Sequence, residues 1–129
     1  MQLTVIKKAA VFRPLPGYKK TVFKKLAIAT IDEVRFIAYD DIVYCQAINN
    51  YTSVHTRSGK SILCCKTLKE IESKLPADDF IRIHQSYLVS IVDITAIKKQ
   101  SGEIEIGDKL LLPVARRKKL EIYGRLNMQ

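Results

Sequence analysis

The sequence predicts a mostly β domain, several small packed β-sheets with one or two short helices. Three observations carry that prediction. From about Leu26 onward, short runs of alternating apolar and polar residues recur, each bounded by turn residues. The one strong helix-start signal is at Thr67, and the apolar stripe behind it is brief. The 129 residues suffice for one domain with a buried core plus a tail.

Residues 1–26 differ from the rest and are expected to be a tail or linker. Arg13-Pro14-Leu15-Pro16-Gly17 blocks both helix and central strand, and Lys19, Lys20, Lys24 and Lys25 make the following stretch basic. Residues 3–12 are compatible with a plain tail and with the last helix of an upstream domain. The domain proper is expected at 27–129. Within it, Asp40-Asp41-Ile42-Val43-Tyr44-Cys45 has the look of a strand. Tyr51-Thr52-Ser53-Val54-His55-Thr56 alternates, Arg57-Ser58-Gly59-Lys60 turns, and Ser61-Ile62-Leu63-Cys64-Cys65 resumes an extended run, which makes a hairpin. Thr67-Leu68-Lys69-Glu70 is a capping box that opens a helix with Leu68, Ile71 and Leu75 on one face, and Pro76 ends it. Residues 93–98 form a further strand. Residues 103–112 form a second hairpin, with Gly107-Asp108 as its two-residue turn. A weaker helix is expected from Arg116, with Leu120, Tyr123 and Leu126 as its apolar stripe.

Composition narrows the function. The 47% apolar content is that of a globular protein, and no apolar run approaches the roughly 20 residues of a membrane span. Met1 to Lys8 lacks the parts of a secretory signal, so a cytoplasmic location is expected. Three cysteines, two of them adjacent, do not make a disulfide framework, and on a strand Cys64 and Cys65 would face opposite ways. Buried structural cysteine is the expectation, and neither a metal site nor a cofactor is expected. The formal charge of +9 points to a polyanion: DNA, RNA or an anionic surface.

Three places stand out. Arg116-Arg117-Lys118-Lys119 lies where a strand gives way to the last helix; there it either extends a phosphate site or is simply a solvated face. Asn49-Asn50 makes a tight turn, because asparagine tolerates left-handed backbone angles, and its amides are also suited to adenine edges or phosphates. Ile83-His84-Gln85-Ser86-Tyr87 has His and Ser close together on an apparently extended segment, with no nucleophile elbow and no carboxylate to orient the histidine. No enzyme is expected. Asp78-Asp79 has the character of a solvated turn and lacks the spacing of a calcium loop.

The phrase Phe80-Ile81-Arg82-Ile83-His84-Gln85-Ser86-Tyr87-Leu88-Val89-Ser90 resembles a signature of LytTR DNA-binding domains, close to Phe-x-Arg-x-His-Arg-Ser-Tyr-Leu-Val-Asn. Other landmarks follow in family order: Asp41-Ile42-Val43-Tyr44, Asn50-Tyr51, Thr67-Leu68, Ile94 with Ile97, and Leu112-Pro113-Val114-Ala115-Arg116. The match covers roughly residues 27–126. It implies an elongated arrangement of small β-sheets whose loops enter successive major grooves of double-stranded DNA. Such domains usually follow a receiver domain in bacterial two-component response regulators, under a sensor histidine kinase, and bind tandem direct repeats as dimers. The resemblance assigns base reading to Asn49, Asn50, Gln85 and Arg116, and phosphate contact to Ser86, Arg117, Lys118 and Lys119. Two positions depart from the pattern: Gln85 replaces a common arginine and favours adenine over guanine, and Ala115 replaces a common serine. The competing reading is a basic protein- or RNA-interaction module, although 8% aromatics and no RNP-like phrase give RNA stacking little to use.

Overall fold

The computed structural model describes residues 23–127. Most of the expected tail, residues 1–22, therefore lies outside the described residues. Among the described residues, ten strands form three antiparallel sheets. The first sheet is a hairpin of β1 (Lys25–Ala29) and β2 (Val34–Ala38), in register from Lys25↔Ala38 to Ala29↔Val34. Its alternation is plain in β1, where Leu26 and Ile28 are buried while Lys25 and Ala27 are exposed.

The central sheet has five strands in the order β5-β4-β3-β7-β6. They are β3 (Ile42–Ile48), β4 (Tyr51–Thr56), β5 (Ser61–Cys64), β6 (Phe80–His84) and β7 (Tyr87–Ser90). The third sheet, ordered β10-β9-β8, comprises β8 (Ile94–Ile97), β9 (Ile104–Ile106) and β10 (Leu110–Leu112). Helix α1 (Leu68–Lys74) joins β5 to β6, and α2 (Lys119–Arg125) follows β10.

Apolar side chains stand on both faces of the central sheet, and both faces are covered. On one face Cys45, Val54, Cys64, Phe80 and Leu88 pack with Leu26 and Ile28 of β1 and with Leu68, Ile71 and Leu75 around α1. On the other, Ile81, Ile83 and Val89 pack with Ile104, Ile106 and Leu112 of the third sheet and Ile122 of α2. Neighbours such as Leu88 and Val89 thus belong to different cores.

The α1 capping box forms as expected. The Thr67 hydroxyl accepts from the Glu70 amide at 3.3 Å, and the Glu70 carboxylate accepts from the Thr67 amide at 3.0 Å. The Thr67 amide and hydroxyl, both within donating distance of that carboxylate, hold it below its ordinary range. Leu75, extended at ψ 151, ends the helix because a residue before proline is driven out of the helical region.

Five expectations need correction. Residues 39–41 form a 3-10 turn, so the strand expected at 40–45 starts at Ile42 and runs to Ile48. The Gly107-Asp108 turn takes in Lys109, since Ile106 pairs with Leu110. Cys45 and Cys64 are buried, with burial pushing the Cys45 thiol up to about 12, but Cys65 is exposed just past the end of β5. Residues 83–87 are not one extended segment; they hold the turn between β6 and β7. In α2 the buried residue is Ile122, with Tyr123 and Leu126 beside it, while Leu120 is 85% exposed. Residues 116–118 form a 3-10 turn first, which rotates the helical face by the time the chain reaches Leu120.

Ile122→Ala should therefore lose about 2–5 kcal/mol of stability, as a fully buried aliphatic does. Leu120→Ala should stay within about 0.5 kcal/mol of the parent. Urea unfolding followed by circular dichroism compares the two, and similar losses would contradict this packing.

Candidate nucleic-acid interface

The first candidate turn joins β3 to β4. Ile48 pairs with Tyr51, so Asn49-Asn50 is a two-residue hairpin loop. Asn49 sits in the left-handed region at φ 57, a conformation two-residue hairpins demand and asparagine tolerates. Both side chains are exposed. Behind them the buried Thr52 hydroxyl donates to the Lys66 carbonyl at 2.8 Å, which brings Lys66 to the same end of the sheet.

The second turn, Gln85-Ser86, joins β6 to β7, because His84 pairs with Tyr87. Neither residue has a positive φ. The turn is secured by other means. The Ser86 amide donates to His84 Nδ1 at 3.1 Å, and Arg82 donates to the His84 carbonyl at 2.9 Å and to the Gln85 carbonyl at 2.6 Å. The Ala47 amide donates to the Ser86 carbonyl at 2.9 Å, extending the β3–β7 ladder to the turn itself. Gln85 is exposed and Ser86 half-buried. His84 thus shapes the turn through its ring nitrogen; it is the Ser86 amide, not its hydroxyl, that the ring engages.

Arg116 comes to the same place from the far end of the chain. The Ala115 amide donates to the Ile83 carbonyl at 2.8 Å, docking the 3-10 turn of residues 116–118 beside β6. That carbonyl is free because the β6–β7 register shifts between Arg82 and His84. The four-residue basic run then divides. Arg116 and Arg117 are exposed and have no ion-pair partner among the described residues. Lys118 lies 3.5 Å from the Glu121 carboxylate, and Lys119 is half-buried, its side chain lying over Gly102 in the β8–β9 connection. Lys99, in that same connection, is exposed.

Strand directions therefore gather Asn49, Asn50, Gln85, Ser86 and Arg116 at one end of the central sheet, with Lys66 and Lys99 as basic neighbours that sequence spacing did not single out. Lys66 is connected to the rest through the Thr52 bond, and Lys99 through the Lys119 side chain that lies over its connection. At the opposite end lie Asp40, Asp41, Asp79 and Asp93, together with Lys24, Arg57, Lys60, Lys74 and Arg125. The Arg57 guanidinium ties that end together by pairing with the Asp93 carboxylate and donating to the Asp40 carbonyl, while Ile91 donates to the Asp79 carbonyl. Between the two ends, Tyr44 stacks on His55 with ring centroids 4.2 Å apart, and burial lowers the His55 pKa and raises that of Tyr44. No group of three or more His, Cys, Asp or Glu side chains placed to hold a metal occurs among the described residues. No described helix is long and apolar enough to cross a membrane.

Comparison with known proteins gives a family and a fold. Residues 32–127 match the family model of the LytTr DNA-binding domain. The chain is 30% identical over 115 residues to the CO-responsive transcriptional regulator RcoM of Rhodospirillum rubrum, covering 86% of this chain and 47% of that protein. It is 30% identical over 95 residues to the sensory transduction protein LytT of Bacillus subtilis, covering 71% of this chain and 39% of that one. The chain thus spans less than half the length of these relatives. A solved LytTr DNA-binding domain from Bacillus cereus superposes with a TM-score of 0.70 at 22% identity, over 81% of this chain and 98% of that one.

The left-handed Asn49 gives a direct test of the first turn. Asn49→Gly should leave stability within a few tenths of a kcal/mol, whereas Asn49→Val should cost about 1–2 kcal/mol or more, because a β-branched side chain resists φ near +60°. Thermal unfolding of the two variants measures this, and equal midpoints would mean that the turn is not left-handed.

Proposed function

The chain belongs to the LytTr DNA-binding domain family, and on that premise we propose that it is the sequence-selective DNA-reading module of a transcription regulator. The observation that carries the reading is the convergence of three turns at one end of the central sheet. They present exposed side-chain amides and guanidiniums that have no ion-pair partner among the described residues. The net charge of +9 draws a duplex to the molecule and makes its binding weaken with salt.

Asn49, Asn50, Gln85 and Arg116 read bases in the major groove. Arginine offers two parallel donors to guanine, and the side-chain amides donate to and accept from adenine. Ser86, Arg117, Lys118, Lys119, Lys66 and Lys99 hold phosphates, fixing position without reading sequence. Lys118 gives up its Glu121 pair to do so, a small cost for an exposed pair. The domain binds tandem direct repeats as a dimer in the cytoplasm, and the whole protein is a response regulator with an upstream receiver domain and a sensor kinase. The names of the relatives support a signalling context, one as a sensory transduction protein and another as a gas-responsive regulator.

Selection of bound sequences from a random duplex pool at two salt concentrations tests the reading. A direct-repeat motif should enrich at both, with affinity falling steeply as salt rises. Binding without any enriched motif would reduce the molecule to a basic protein. With the enriched site in hand, Arg116→Ala should cost about 1–3 kcal/mol and relax preference at one base position. Arg117→Ala should weaken cognate and random duplexes alike and lower the salt slope by about one. Equal losses for both variants on both duplexes would contradict this division of roles.

A further inference from the structure

The Gln85-Ser86 turn is the anomaly of the structure. Two-residue hairpin loops ordinarily need positive φ, so that the turn matches the right-handed twist of its strands, and neither residue here supplies it. Gln85 is not a turn-forming residue type, and the adjoining ladder carries a register shift between Arg82 and His84. A base-reading side chain on such a turn has a defined direction only if something outside the backbone ladder fixes it.

Arg82 does this with all three of its nitrogens. Nε donates to the His84 carbonyl at 2.9 Å, Nη2 donates to the Gln85 carbonyl at 2.6 Å, and Nη1 pairs with Glu72 of α1 at 2.7 Å. The Arg82 side chain is only 18% exposed, and its planar fork spans three acceptors that a lysine ammonium on a flexible stem does not reach together. We propose that Arg82 is a positioning residue for base selectivity: it anchors the Gln85 turn to α1 and so sets where the Gln85 side chain points. A basic residue beside a DNA-reading turn would otherwise be taken for a phosphate contact. Its engaged nitrogens argue against that, and the two roles have different signatures.

The inference rests on the proposed reading of DNA by Gln85, and the test separates the two. The full 129-residue chain, with Arg82→Met, Arg82→Lys, Glu72→Gln, Gln85→Ala and the Arg82→Met/Gln85→Ala double variant, is titrated against the selected duplex and against duplexes with each base pair changed, at two salt concentrations. Arg82→Met should lose on the order of tenfold discrimination at the base pair that Gln85→Ala affects, keep discrimination at the position lost in Arg116→Ala, and leave the salt slope unchanged. The double variant should discriminate no worse than Arg82→Met alone. Arg82→Lys, which keeps the charge but not the fork, should resemble Arg82→Met, and Glu72→Gln should fall between it and the parent. These two carry the test if Arg82→Met does not fold. Retained discrimination, a uniform loss at every position, or a salt slope lower by about one would overturn the inference. If Gln85→Ala itself changes no base preference, the proposed role of Gln85 fails and the inference falls with it.

Discussion

The pairing of β3 with β7 is the contact on which the rest of the molecule depends. Tyr44, Cys45 and Gln46 pair with Val89, Leu88 and Tyr87, joining a hairpin made before α1 to one made after it. The same pairing decides which side chains enter which core: Cys45 and Leu88 face α1 and β1, while Val89 faces the third sheet. A slip of one residue would exchange those faces and expose both cores, so the register is strongly specified. It also sets the two turns side by side, since the ladder ends on the Ala47 to Ser86 bond. Packing and site geometry therefore have one cause.

The third component is tethered and not paired. The Ala115 amide uses a carbonyl of β6 freed by the register shift there, and the buried Ile122 pins the helix that follows. The site is thus assembled from residues near 50, 85 and 116 by one sheet and one dock. Burial costs keep its exposed arginines, Arg116 and Arg117, at the rim, where water and counterions still solvate them. Arg82, which does come inward, is partnered by Glu72 and two carbonyls.

Much of this was legible in the residues. The capping box at Thr67, the Asn49-Asn50 turn and the alternation of β4 and β5 are local signals, and each appears where local chemistry places it. The LytTR-like phrase at residues 80–90 pointed to the family before any geometry was known. The β6–β7 turn was not legible as a turn, because its stability comes from the side chains of Arg82 and His84 and not from turn-forming residues. Leu120 and Ile122 show a second limit: helical spacing gives a face only once the starting angle is known, and a 3-10 turn ahead of α2 sets that angle. Lys66 and Lys99 escaped notice because only tertiary contacts, the Thr52 bond and the Lys119 side chain over Gly102, link them to the three turns.

On the proposed reading, the three turns act as one DNA face at one end of the central sheet. The most direct measurement is a titration of the isotope-labelled protein with the selected duplex, following every backbone amide by heteronuclear NMR. The largest shifts should cluster at residues 49–50, 85–86 and 116–117, with residues 57–60 and 91–93 little changed. Shifts concentrated at the Arg57–Asp93 end, or on the β1–β2 hairpin with the three turns silent, would contradict it.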